Sequence, residues 1–128
     1  MSISKKITQR LKDSGTRFFA NDNISKFINE GEHQLLIKEV EEKFKDVLRS
    51  LVIDIENDPN SRDTPKRLAK MYINEIMSGR YFPQPSVTAF PNDGTHGNSE
   101  YKGMLVIRAE INSMCSHHHQ PVSGVAYI

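Results

Sequence analysis

Cys115, His117 and His118 lie close together in the stretch SMCSHHHQPVSG (Ser113–Gly124), and His119 follows directly. The cysteine is the only one in the chain, and the three histidines are most of its five. Thiolate and imidazole are preferred donors to zinc, which takes them in tetrahedral geometry. Cys115 and His118 are three positions apart, so a turn at a strand end can bring both onto one ion. His117 between them points differently, and an imidazole is a natural general acid or base near neutral pH. One short segment can therefore supply two metal ligands and a proton carrier. A catalytic zinc has three protein ligands and one open position, so a third donor must come from elsewhere. His33, His96 and His119 are the remaining histidines, and none is well placed. Two other readings of the same residues stay open. One is a nucleophilic Cys115 activated by a neighbouring imidazole; the other is a polar turn with adventitious metal affinity.

The flanking segments predict strands that would present this turn. From Lys102 to Ser113, Leu105, Ile107, Ala109 and Ile111 alternate with Val106, Arg108, Glu110 and Asn112, the period of a strand with one apolar face. Val122 to Ile128 reads as a second strand, pairing with the first as an antiparallel hairpin. Upstream, Leu36, Val40, Phe44, Val47, Leu48, Leu51 and Ile55 recur at three and four, which predicts an amphipathic helix from Leu35 to Glu56. Glu39 and Lys43 are spaced to pair on its wet side. ENDPNSRD then breaks the pattern. Thr64-Pro65 is a helix start, with the threonine hydroxyl as cap, and the helix is expected to run from Pro65 to Ser78, stopped by Gly79. Arg80 to Glu100, rich in proline, glycine and polar residues, reads as a long loop.

Residues 1–34 form an expected N-terminal extension. Ile3, Ile7 and Leu11 suggest a short docking helix, and Phe18, Phe19, Phe27 and Ile28 could fix the extension to a partner or to the main domain. The alternative is a loosely ordered arm. A length of 128 residues favours one domain. Net charge is +1, with 26% charged residues, which gives no electrostatic reason to expect nucleic acid or membrane as partner. No apolar run is long enough for a transmembrane helix. A lone cysteine excludes an internal disulfide and fits a reducing, cytoplasmic compartment.

Three stretches, in order, resemble the GTP cyclohydrolase I family: DTPKRLAKMY (Asp63–Tyr72), FPND (Phe90–Asp93) and SMCSHHHQPVSGVAYI (Ser113–Ile128). The resemblance covers residues 35–128. It implies an α+β tunnelling fold, in which an antiparallel β-hairpin with packed helices joins others in an oligomeric barrel, as a homodecamer with active sites between subunits. It implies conversion of GTP to 7,8-dihydroneopterin triphosphate with release of formate, the entry to folate and other pterins. By similarity Cys115 and His118 are zinc (Zn2+) ligands, His117 is the catalytic acid/base, and Arg67 contacts the triphosphate. Read without the family, Arg67 is an exposed helix residue pairing with Asp63. The implied chemistry is physically coherent: zinc makes a hydroxide-like nucleophile available at neutral pH for attack at C8 of the guanine, and an adjacent histidine can protonate the opening ring.

The chain departs from the family pattern at Ser116, where the family has glutamate, and at His119 and Gln120, where it has apolar residues. The family's second zinc cysteine, its lysine- and arginine-bearing triphosphate segment and its guanine-anchoring glutamate all fall beyond Ile128. Together with a chain that stops in mid-strand, this leads to the expectation that residues 35–128 are the N-terminal helices and first hairpin of a domain truncated at its C-terminal end. Readings of another class are a non-catalytic zinc-binding or assembly protein with the same fold, or a tunnelling-fold enzyme acting on another purine or pterin.

Overall fold

The computed structural model describes residues 1–92 and 100–128. His96, and Asp93 of the FPND stretch, lie outside the described residues. The chain forms two compact units, Met1–Pro83 and Gln84–Ile128. Secondary structure is α+β: the first unit is helical and the second carries a two-stranded antiparallel sheet. No helix among the described residues is long and apolar enough to cross a membrane.

The first unit contains α1 (Ile3–Asp13), a 3-10 turn (Ser25–Phe27), α2 (Glu32–Ser50), α3 (Thr64–Met71), a π-helical turn (Tyr72–Ile76) and the short α4 (Ser78–Tyr81). The extension docks rather than remaining a loose arm. Ile3, Ile7 and Leu11, one stripe of α1, are buried with Ile24 against Leu36, Ile37, Ala69 and Ile73. Phe27 and Ile28 pack at the edge of this core, whereas Phe18 and Phe19 are exposed. Polar ties hold the connection between α1 and α2. The Arg80 guanidinium donates to the carbonyls of Phe19 and Asp22, and Asn23 Nδ2 donates to those of Gly79 and Phe82 at 2.7 Å each.

Glu39 has a different partner from the one its spacing suggests. Instead of pairing with Lys43 it reaches across to α1, accepting the Ser4 N–H at 3.0 Å and the Ser4 hydroxyl at 2.5 Å. A carboxylate at a helix N-terminus satisfies an orphan donor and complements the dipole, which outweighs an exposed i,i+4 pair.

Glu32 opens α2 and grips the Arg10 guanidinium with both oxygens, at 2.6 and 2.5 Å. The Arg10 hydrogen bonds, against the cost of burial, and the Asn29 N–H hold the Glu32 carboxyl at about 2, below its usual 4.5. A depressed carboxyl stabilises the fold above its unfolded pKa and loses that contribution as pH falls through the folded value. Melting temperature should therefore fall between pH 4.5 and about 2, and Glu32→Gln should flatten that part of the profile. An unchanged profile in the variant would show that the pair does not tie α1 to α2.

The helix predicted to reach Glu56 ends at Ser50. Val52 adopts φ 61°, a left-handed conformation that no regular helix contains and that β-branched residues resist. Leu48 and Ile55 are both buried, on either side of this reversal, while Val47 and Leu51 are exposed. Val52 is itself 93% exposed, so changing it removes no packing. Val52→Asn, which tolerates the left-handed region, should stabilise the protein by about 1 kcal/mol. A melting scan should show a rise of roughly 4–8 °C.

The predicted 65–78 helix is also corrected. Thr64 lies inside α3, with Pro65 at its first turn, and Asp63 occupies the cap position without a side-chain bond. The Thr64 hydroxyl donates backward to the Asn60 carbonyl at 3.4 Å. After Met71 the helix widens into the π turn, where the Met77 N–H reaches the Tyr72 carbonyl at 3.1 Å. Gly79 does not stop it: the residue sits within α4.

In the second unit β1 (Arg108–Met114) pairs with β2 (Pro121–Tyr127), from Arg108 opposite Tyr127 to Met114 opposite Pro121. Ile107 and Ile128 add a further pair through two 2.9 Å backbone bonds. The regular strand begins at Arg108 and runs to Met114, against the predicted 102–113. The register places Ile107, Ala109 and Ile111 on the same face as Val122, Ala126 and Ile128. Four of these, Ile107, Ile111, Val122 and Ile128, are exposed.

Candidate functional site

The turn between β1 and β2 is Cys115–Gln120. Two backbone bonds shape it. The Cys115 N–H donates to the Gln120 carbonyl and the His119 N–H to the Cys115 carbonyl, both at 2.9 Å. The second closes one helix-like turn over Ser116–His118, which His119 leaves with φ 53°. Pro121 then begins β2 as a strand's first residue, where proline is tolerated.

Within this frame Cys115 Sγ lies 3.4 Å from His117 Nδ1. Cys115 is half-buried and the three histidines are exposed. The structure thus brings the thiol to His117 rather than to His118, and no hydrogen bond from His118 occurs among the described residues. Zinc–sulfur and zinc–nitrogen bonds of about 2.3 and 2.0 Å at a tetrahedral angle separate the two donors by roughly 3.5 Å. The Cys115–His117 spacing fits two donors sharing such an ion. It also fits a thiol and a proton carrier in direct contact. Among the described residues no group of three or more His, Cys, Asp or Glu side chains is gathered to hold a metal. The turn thus gathers two donors, Cys115 and His117, short of the three that a catalytic zinc takes.

The other residues singled out by type are spoken for or lie elsewhere. His33 is in the first unit, its ring stacked on Phe82 with centroids 4.7 Å apart, and its Nε2 donates to the Tyr81 carbonyl at 2.8 Å. Arg67, also in the first unit, is exposed on α3 with its guanidinium 3.7 Å from the Asp63 carboxylate. An exposed i,i+4 pair of this kind restrains it little and leaves its charge available to an anion. The sequence did not disclose the clamp on both peptide groups of Cys115. Residue types carry no signal for it, because the atoms involved are backbone.

The family profile of GTP cyclohydrolase I matches residues 40–128. The chain is 31% identical over 93 residues to the GTP cyclohydrolase 1 of Aeromonas hydrophila, covering 71% of this chain and 40% of that protein. The corresponding figures are 32% over 94 residues for that of Flavobacterium johnsoniae, with 72% and 40% covered. For that of Shewanella oneidensis they are 34% over 90 residues, with 70% and 39% covered. The chain thus spans about 40% of the length of the curated relatives it matches.

Proposed function

The chain belongs to the GTP cyclohydrolase I family, and from that premise we propose that the protein is a zinc-dependent GTP cyclohydrolase I. It would convert GTP and water to 7,8-dihydroneopterin triphosphate and formate, in the cytoplasm. The observation that carries the reading is the contact between Cys115 Sγ and His117 Nδ1 at the closed end of the hairpin, inside the segment that matches the family.

Cys115 and His118 take the ligand positions by motif order, and His117 takes that of the acid/base. Bound zinc would supply Lewis acidity that makes water nucleophilic at neutral pH. His117 is exposed, so its ring can reach a substrate from solvent and exchange protons between steps. Its task is to protonate the guanine ring nitrogen as the five-membered ring opens, and later to shuttle protons as formate departs. Ser116, in place of the family glutamate, supplies a hydroxyl but no fixed charge beside the turn. Arg67 is the proposed triphosphate contact, through a charge that Asp63 restrains only weakly.

The exposed apolar face of the hairpin supports the oligomeric part of the reading. A two-stranded sheet is marginal alone, and Ile107, Ile111, Val122 and Ile128 are the kind of surface an assembly covers. Joining hairpins into the family's barrel, as a homo-oligomer of decamer type, would provide that cover. The 3.4 Å contact also favours a second assignment, in which His117 rather than His118 shares the metal with Cys115.

Incubation of full-length, zinc-loaded protein with GTP, followed by oxidation and fluorescence of the neopterin formed, tests the activity. Product accumulation is expected. Zinc-loaded protein that leaves GTP untouched would instead mark a non-catalytic assembly protein with this fold, and turnover of a different purine or pterin would mark a related enzyme.

A further inference from the structure

We infer that His119 is a positioning residue for the Cys115 turn and acts through its backbone conformation rather than as a ligand; this rests on the reading of the turn as a zinc site. The segment Cys115–His118 makes a single helix-like turn, closed by the His119 N–H on the Cys115 carbonyl at 2.9 Å. His119 then takes φ 53°. A left-handed residue donating to the carbonyl four positions back is how helical turns are ended and the chain turned away. That step lets the Gln120 carbonyl meet the Cys115 N–H at 2.9 Å and Pro121 enter β2 opposite Met114. Cys115 is consequently held through both of its own peptide groups, and the two bonds share the reversal at His119.

The consequence reaches the side chains. Cys115 opens the turn and His117 sits at its middle, with sulfur and Nδ1 3.4 Å apart. That spacing depends on the turn staying wound. Histidine is among the non-glycine residues that enter the left-handed region more readily, and β-branched residues are the ones most opposed to it. A third consecutive histidine is thereby accounted for without a third imidazole on the metal.

The test is a substitution series at position 119 in the full-length protein. Zinc affinity would be measured by competition with a chromophoric chelator, and amide hydrogen exchange at Cys115 would be followed in the same proteins. His119→Asn and His119→Gly accept the left-handed conformation without an imidazole, so both should bind zinc as the parent does and keep the Cys115 amide protected. His119→Val should bind about 5–30-fold more weakly, the factor matching the cost of forcing such a residue left-handed, and should exchange the Cys115 amide faster. If Asn and Gly lose as much affinity as Val, the imidazole is what matters and the inference is wrong. Parent-like affinity and protection in His119→Val would overturn it as well. Should Cys115→Ala bind zinc as tightly as the parent, the zinc reading itself fails. In that case the exchange rates across the position 119 series still decide whether the left-handed step holds the turn.

Discussion

His117→Ala is expected to lower GTP turnover by about 10²–10⁴-fold, the range that a positioned general acid/base contributes, while zinc stays bound. The expectation follows from where the ring is. It sits on the turn beside Cys115, exposed to solvent, with one nitrogen 3.4 Å from the sulfur. Removing an exposed imidazole leaves the hairpin ladder and both backbone bonds of Cys115 in place, so the fold should survive and the loss should be chemical. Steady-state kinetics paired with metal analysis of the same preparation reads the result. If zinc and turnover disappear together, His117 is a ligand and the roles of His117 and His118 are exchanged, as the sulfur–nitrogen spacing also allows.

The second large effect is on the metal. Cys115→Ala should weaken zinc binding by more than about 100-fold, since even the loss of an outer-shell partner of a ligand costs about 10–100-fold. A thiolate is the softest donor the turn can offer, and the methyl group of alanine cannot bind the metal in its place. The backbone around position 115 is held by its own peptide groups, and a methyl side chain disturbs neither. Equilibrium dialysis against zinc distinguishes the outcomes. Unchanged metal content in the variant would place the metal elsewhere and return Cys115 to the role of an ordinary half-buried thiol.

The hairpin and its turn are legible in the sequence because alternation is a strict signal: one residue of slip would exchange the faces. Ile107, Ala109 and Ile111 therefore mark a face whose cross-strand partners the register supplies. The α1 stripe is legible for the same reason at helical period. What periodicity cannot report is where a helix stops for conformational reasons. The apolar spacing of α2 continues through Leu51 and Ile55, and only the left-handed Val52 shows that Ile55 reaches the interior by a turn and not along a helix. Long-range polar choices are equally hidden. Glu39 has a suitably placed lysine on its own helix, yet it serves the N-terminus of α1, which Ile3, Ile7 and Leu11 hold against the core. At the turn, residue types single out a stretch rich in donors, but which imidazole meets Cys115 depends on how the turn winds, which composition does not encode.

The central claim, that this turn serves the opening of a guanine ring, is tested most directly by following the carbon that the reaction removes. Full-length, zinc-loaded protein would be incubated with GTP carrying carbon-13 at C8 and watched by carbon NMR. The account predicts that the C8 signal is replaced by that of formate, in step with the pterin formed, and that His117→Ala abolishes this conversion. A label that stays in the nucleotide, or formate release that His117→Ala leaves unchanged, would contradict it.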